Sequence, residues 1–377
     1  MKKVAIIGGG ISGLYFANLL QKNKNFDYKI FEKKSHFELN DGYGIQLSIN
    51  SIKLLNQIGF KNIEAHEVYF PNKINFYKAK NCTKICDIDI SKFNNENNRY
   101  TTLKRSTLFN FLLKNIPKNN IFQSCELASI NYGDKISLSF SNSKDEKFDY
   151  LLVSDGVFSK SKSIIYEKEN SPKYFNCVAL RGSIKNIENR DISIYLGPDF
   201  HFVIYPVNQN KEFNFISIVK KNLKKEQIVD KNYFKNDEFL RSLLYEISSK
   251  TSFNLENKIE NIKSFPIFVS EKFAKPEKRN IFFVGDALYA FPPSFAQGAS
   301  QSIEASNEVY EEIENNTYSY YQRRYEKIKS VRSRSIINHY AFHLSNPLII
   351  LARNIALKYL TKNKKFLENY LGKIYNN

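Results

Sequence analysis

The segment Gly8-Gly9-Gly10-Ile11-Ser12-Gly13 is the first in the chain whose residue types and spacing suit a specific chemistry. Gly8 permits a tight turn, Gly10 lets the backbone approach a pyrophosphate, and Gly13 lets a helix pack closely on a strand. Ile11, Ser12 and Gly13 would then offer the N–H groups of a helix N-terminus to the anion. Nineteen residues past Gly13 stands Glu32, whose carboxylate can accept both hydroxyls of an adenosine ribose, with Lys33 beside it at the same end of the nucleotide. The pattern predicts a bound dinucleotide and does not by itself choose between FAD and NAD.

Two further aspartates stand after apolar runs. Ile281-Phe282-Phe283-Val284 leads into Gly285-Asp286, and Leu151-Leu152-Val153 leads into Ser154-Asp155-Gly156. A carboxylate at a strand's C-terminal end sits where α/β folds bind ligands, and the ribityl chain of FAD, absent from NAD, needs such an acceptor. Beyond Pro292 and Pro293, the run Gln297-Gly298-Ala299-Ser300 opens a helix. Its positive end would face the pyrimidine edge of a flavin and stabilise the anionic reduced ring. Taken alone, Asp286 reads as well as a turn or cap aspartate, and Asp155-Gly156 is only a turn signal.

The elements that must position these groups follow from periodicity. Residues 3–7 form a β-branched apolar run typical of a buried parallel strand, residues 12–22 are helical, and residues 28–32 form a second strand that completes a βαβ unit. A helix over 51–58 stops at Gly59. Between about 172 and 270, the runs 178–184, 192–196, 200–206 and 213–219 are separated by turn residues and read as a mostly antiparallel sheet. From Ile281 the chain returns to a buried strand and ends in helices. This describes one nucleotide domain, split in sequence, with a second sheet laid against it.

Composition bounds the answer. With 377 residues, 42% hydrophobic and 15% aromatic, the chain is long enough for two cored domains and too apolar for a disordered one. The net charge of +18 comes from lysines spread over the whole length, with no basic stripe interleaved with stacking aromatics, so no nucleic-acid function is expected. Four scattered cysteines and five scattered histidines predict neither a disulfide framework nor a metal site. No apolar run approaches a membrane span, and the apolar start breaks into glycines after Ile7, so a cytoplasmic protein without a leader is expected.

Taken together, in this order and spacing, the three segments resemble the flavin-dependent aromatic hydroxylases of the p-hydroxybenzoate hydroxylase type, and most nearly the salicylate-hydroxylase-like branch. The resemblance spans most of residues 1–345. It also includes Gly42-Tyr43-Gly44-Ile45 with Asn50, Arg105, Arg181-Gly182, Leu196 through His201 to Tyr205-Pro206, and Glu304. It implies an α/β fold: a Rossmann-like FAD-binding domain (1–75, 97–171 and 270–320), an interleaved, mostly antiparallel β-sheet substrate domain (76–96 and 172–269), and a C-terminal helical region (321–377).

The resemblance further implies that Arg105 lies along the FAD phosphates and Asp286 holds the ribityl chain. Asp155 and Gly156 would serve both FAD and the approach of NADH or NADPH. Gly285, Gln297, Gly298, Ala299 and Ser300 would complete the cofactor site. Pro293 would sit beside the isoalloxazine, and His201 and Tyr205 would face the ring pocket. The implied reaction transfers hydride from NAD(P)H to FAD and hydroxylates a small aromatic through a flavin hydroperoxide. Departures from the family pattern are Tyr289 for a histidine, Phe295 for a glycine, Ala305 for an acidic residue, and Ser154 before Asp155.

Within that expectation several roles stay open. His201 or Tyr205 would assist phenol deprotonation, or His201 is a satisfied sheet histidine. Arg181 would pair a substrate carboxylate, or hold a structural salt bridge. Alternative functions are a flavin epoxidase or quinone-ring hydroxylase on a lipid-like substrate, and a flavin-binding subunit without turnover. The stretch from Pro347 to Leu360, with Lys358, Lys362, Lys364 and Lys365, is expected to cap the core or a dimer interface in preference to lying on an anionic membrane. A monomer or homodimer is expected.

Overall fold

Uninterrupted apolar runs become the central strands of a parallel sheet. In the computed structural model, which describes residues 1–37, 44–141 and 143–375, the order is Ile281–Phe283, Tyr150–Val153, Lys2–Ile7, Phe26–Phe31, Ile121–Phe122. All neighbouring pairs are parallel: Ile7 lies opposite Val153 and Phe31, and Val153 opposite Phe283. The C-terminal ends of four strands therefore lie along one edge, and the residues that follow them are Gly8, Glu32, Ser154-Asp155 and Val284-Gly285. Val4, Ala5, Ile6, Leu151, Val153, Ile281 and Phe283 are 0–1% exposed, which is why both faces read as hydrophobic. Helix Ile11–Gln21 covers one face and packs on the long helix Gly298–Asn315. Gly42 and Tyr43, which carry part of the family resemblance, lie outside the described residues.

The second sheet has seven strands in the order Ile259–Val269, Lys173–Ile184, Phe213–Lys220, Phe200–Pro206, Ile192–Gly197, Lys73–Lys78, Lys84–Asp89. Every pair is antiparallel except Ile192–Gly197 with Lys73–Lys78, which run parallel because the chain crosses from the nucleotide domain and back between them. Alternation sorts the strand Phe200–Pro206 cleanly. Phe200, Phe202 and Ile204 pack in a core with helix Asp237–Ser248, and His201, Val203 and Tyr205 point the other way. The boundary expected between residues 75 and 76 cuts the strand Lys73–Lys78, all of which belongs to this sheet. A three-stranded meander within residues 127–148 and the long strand Ile259–Val269 carry no signal singled out in the sequence.

Helix Tyr320–Phe342 is joined to helices Gly298–Asn315 and Ile49–Gln57 by a buried ion network. Arg324, 1% exposed, donates Nε to Glu308 Oε2 at 3.0 Å and Nη1 to Gln301 and Glu304 at 2.9 and 3.2 Å, and its Nη2 also reaches Glu308. Glu304 accepts from Asn50 Nδ2 at 2.6 Å and lies 3.5 Å from Lys327. Six side chains from three helices are thus mutually satisfied largely away from water, the condition under which buried charge is tolerated.

Candidate active site

The glycine turn is held by contact, not by flexibility. Gly8 has φ +98°, and a Cβ there would lie 2.6 Å from the Ser154 carbonyl oxygen; a Cβ on Gly13 would lie 2.2 Å from the Gly8 oxygen. Ser154 Oγ lies 2.8 Å from both the Ile7 and the Gly8 carbonyl oxygens, so a small hydroxyl residue here ties two strand ends together. Gly10, by contrast, faces open space and caps the helix Ile11–Gln21 with no side chain over its N–H groups. An anion fits there with only backbone to meet it.

Glu32 closes the same end. Its Oε2 accepts the Gly9 N–H at 2.8 Å and its Oε1 accepts the Lys34 N–H at 3.0 Å, which fixes the carboxylate at the tip of its strand. Lys33 is exposed. Arg105, the first residue of helix Arg105–Lys114, lies over the Phe109 ring at 5.6 Å; Phe109 meets Phe37, which covers Gly9. The guanidinium is thus linked to the glycine turn through the Phe109 and Phe37 rings.

Further along the strand edge, Gly285 (φ +59°) is wedged between two helices: a Cβ would lie 2.8 Å from Ser12 Oγ and 3.1 Å from Ser302 Oγ. This wedge brings Asp286 to the starts of both helices. Asp286 is exposed to solvent by surface area, yet burial pushes its carboxyl above the usual range, opposed by the charge of Lys162. Both observations hold for a carboxylate on the floor of an open cleft. Asp155 has one oxygen on the Ser161 N–H at 3.1 Å and the other buried with no partner. Lys162 stands between the two aspartates; burial pushes its ammonium pKa down, and Asp155 and Asp286 push it back up. Gly156 (φ +83°) and Gly298 face open space like Gly10.

Helix Gly298–Asn315 starts at Gln297 with no side-chain cap, leaving its first N–H groups available. The Gln297 and Ser300 side chains are not among the groups aimed outward. Gln297 Nε2 donates to Ser48 Oγ at 3.2 Å, and Ser300 Oγ lies 3.0 and 2.9 Å from the Ser48 and Ser51 hydroxyls. Only the backbone of this segment, including Ala299, remains to meet a ligand. Pro293 heads a tight turn, Pro293–Phe295, pinned by Asn338 Nδ2 to the Ser294 carbonyl at 3.0 Å.

On the sheet side, Tyr205 is 3% exposed, and burial pushes its phenol well up, against the pull of Arg181 and a hydrogen bond with Gln46. It is a hydrogen-bond donor at neutral pH rather than a base. Arg181 lies over the Phe265 ring at 5.9 Å. Gly44 donates its N–H to Asn214 Oδ1 at 2.7 Å, and a Cβ there would strike the Tyr205 ring. His201 shares the Tyr205 face, as alternation predicts, but not an open pocket. It is 3% exposed and packs on Phe342, with Nδ1 3.0 Å from His343 Nε2. Burial, then the neighbouring His343 and His339, hold it well below the usual imidazole range. The placement corrects the expectation of a ring-facing base: His201 is a neutral side chain enclosed between sheet and helix.

The sequence reading missed Lys162, Gln46, Asn214 and the ties of Ser48 and Ser51 to Ser300. For Lys162 a signal existed, a cation seven residues beyond Asp155 on the helix Lys160–Ile165; the others are read only from contacts. A cavity of about 270 Å³ lies elsewhere, lined by Lys2, Asp149, Tyr150 and Asn280 at the opposite edge of the parallel sheet from the strand ends.

Three strand ends, two uncapped helix N-termini and an orphaned buried carboxylate oxygen define a dinucleotide-binding Rossmann fold with a second sheet against its cleft. Residues 6–39 match the family described as NAD(P)-binding Rossmann-like domain. A 3-amino-4-hydroxybenzoate 2-monooxygenase of Streptomyces platensis is 21% identical over 58% of this chain and 56% of its own length. The salicylate hydroxylase of Pseudomonas putida is 21% identical over 80% of this chain and 74% of its own. The chain spans little more than half the length of the first of these relatives. Among solved structures, Klebsiella pneumoniae HpxO complexed with FAD and uric acid superposes with a TM-score of 0.84 at 15% identity, covering 100% of this chain and 96% of that one. A salicylate hydroxylase substrate complex superposes at 0.78 with 17% identity, covering 100% and 95%. The chain thus has a Rossmann-type nucleotide domain, and the relatives it is similar to are named as salicylate hydroxylase and other monooxygenases.

Proposed function

We propose that the chain is an FAD-dependent monooxygenase that uses NAD(P)H and O2 to hydroxylate a small aromatic substrate of the phenol or hydroxybenzoate kind. The observation that carries the reading is Asp155: a carboxylate oxygen buried without a partner, beside the Gly8 turn, where a Cβ would lie 2.9 Å from the Asp155 Cα. Buried unpaired carboxylate oxygens are costly, so a donor from a ligand belongs there. The homologues named above support the reaction class.

In this reading Glu32 holds the adenosine ribose, the N-terminus of Ile11–Gln21 and Arg105 hold the pyrophosphate, and Asp286 accepts from the ribityl hydroxyls. FAD, when bound, supplies hydride acceptance from the nicotinamide and activation of oxygen. The N–H groups of Gly298, Ala299 and Ser300 stabilise negative charge at the pyrimidine edge. The positive charge of Lys162 opposes the upward push that burial exerts on the Asp286 carboxyl. Pro293 walls the ring, Tyr205 donates a hydrogen bond to a substrate oxygen, and Arg181 provides positive potential that favours a phenolate or carboxylate. The buried aromatic residues behind Tyr205 keep water from the reacting face.

The test is direct. Purified protein should bind FAD and turn over NADH or NADPH in air, with flavin reduction accelerated by one member of a panel of phenols, hydroxybenzoates, purines and quinone precursors. Labelled oxygen from O2 should appear in the product. A folded protein that refuses FAD, or a flavin that no nicotinamide reduces with any member of the panel, ends this reading.

A further inference from the structure

The helix Pro347–Leu360 turns most of its apolar residues outward. At 100° per residue Ile350, Arg353, Asn354 and Leu357 share one side, and that side meets the protein. Asn354 is buried, and Arg353 donates to the Ala341 carbonyl at 3.0 Å and to Asn354 Oδ1 at 2.9 Å. The other half of the circumference is apolar and open: Leu348 is 77% exposed and Tyr359 75%, with Leu351 at 58%, Ile349 at 51% and Ile355 at 48%. Ile337 and Tyr340, on the helix to which Arg353 docks, are exposed as well. The helix covers the core through Leu357 on one side and leaves most of its apolar residues uncovered on the other. Its inward side sets Arg353 and Asn354 between Ile350 and Leu357, while most of its apolar residues face outward.

Charge identifies what covers this face. Residues 345–367 contain Arg353, Lys358, Lys362, Lys364 and Lys365 and no aspartate or glutamate. Glu368 lies 4.0 Å from Lys364, and Asp87, on the strand Lys84–Asp89 against which the helix packs, is already paired with Lys84 at 2.6 Å. A second copy of the same chain would bring two such segments face to face, which like charge opposes. A bilayer carrying anionic headgroups meets both requirements at once. No described helix is long and apolar enough to cross a membrane, and 14 residues span only about 21 Å, short of a hydrocarbon core.

We propose that this helix lies in the plane of an anionic bilayer surface, its apolar half at the headgroup–acyl boundary and its lysines among the phosphates. The docking stands apart from the redox chemistry and does not depend on it.

Flotation of the full chain with phosphatidylcholine vesicles, with and without about one-third phosphatidylglycerol, tests it. The protein should float with the anionic vesicles, at least tenfold more weakly with phosphatidylcholine alone, and less as salt is raised. Leu348→Glu with Tyr359→Glu, both at exposed positions, should abolish flotation without changing the circular dichroism spectrum. Lys358→Gln, Lys362→Gln and Lys365→Gln should each weaken it roughly fivefold. Failure of the wild-type chain to float with anionic vesicles overturns the proposal. So does a solution dimer that Leu348→Glu dissociates, which assigns the face to a second copy. FAD binding and NAD(P)H oxidation are read on the same samples. A flavin-loaded protein that ignores lipid sinks only the docking; a colourless one that floats sinks only the redox reading.

Discussion

Glycines eight to thirteen do two separable jobs, and substitution can tell them apart. Gly13 has no room for a Cβ, whereas Gly10 has open space and φ −82°, which any residue adopts. Gly13→Ala should therefore fail to fold or lose several kcal/mol, of the order seen for forced overpacking. Gly10→Ala should keep the wild-type melting temperature and bind FAD at least tenfold more weakly, read by flavin fluorescence titration. If Gly10→Ala binds FAD normally, the pyrophosphate does not lie over this turn. A second residue-scale prediction concerns Lys162→Met. Removing the cation leaves burial unopposed at Asp286, so its carboxyl pKa rises further. FAD affinity in the variant should fall as pH drops through a range where the wild type is still saturated. A pH profile identical to the wild type would remove Lys162 from the site.

At the scale of elements, the helices Gly298–Asn315 and Tyr320–Phe342 are joined by Arg324 and its acidic partners. Arg324→Met would leave Glu304 and Glu308 without their cation in a poorly solvated place, a defect of about 3–5 kcal/mol. Urea denaturation should show that loss. Arg324→Lys should recover only part of it, since one ammonium cannot reproduce bonds to Gln301, Glu304 and Glu308 together. The same helix positions the ring side of the site, because Asn338 pins the Pro293 turn. A change at Arg324 should thus lower flavin occupancy as well as stability.

At the scale of the whole molecule, His201, His339 and His343 form a buried cluster where the antiparallel sheet meets the end of helix Tyr320–Phe342. Burial pulls the imidazole of His339 down to about 3 and that of His343 to about 4, with Lys220 also acting against their protonation. Neutral in the fold and titrating near 6.5 when unfolded, they contribute stability that is complete above about pH 6.5 and is lost as pH falls toward 4. For His343 alone the loss between pH 6.5 and 5 comes to roughly 2 kcal/mol. The urea midpoint should fall accordingly, and His343→Leu should flatten the dependence. A midpoint unchanged between pH 7 and 5 would show that the cluster is not buried in solution.

The nucleotide half was legible because its rules are local. A strand ending in glycines, a helix after them and an acid at the next strand end place Glu32 and the turn from spacing alone, and parallel strands order their own C-terminal ends. What spacing could not reach were contacts between residues distant in sequence. Whether His201 faces a ring or a helix end depends on His343, 142 residues away; whether Ser300 meets a ligand depends on Ser48 and Ser51. Lys162 becomes part of the site only when Asp286 folds beside it. The polarity of Pro347–Leu360 is written in its residues, but which half turns inward was decided by the carbonyl of Ala341 and the packing around Asn354. Local sequence sets backbone geometry and pattern; the side that meets the protein is a property of the assembled surface.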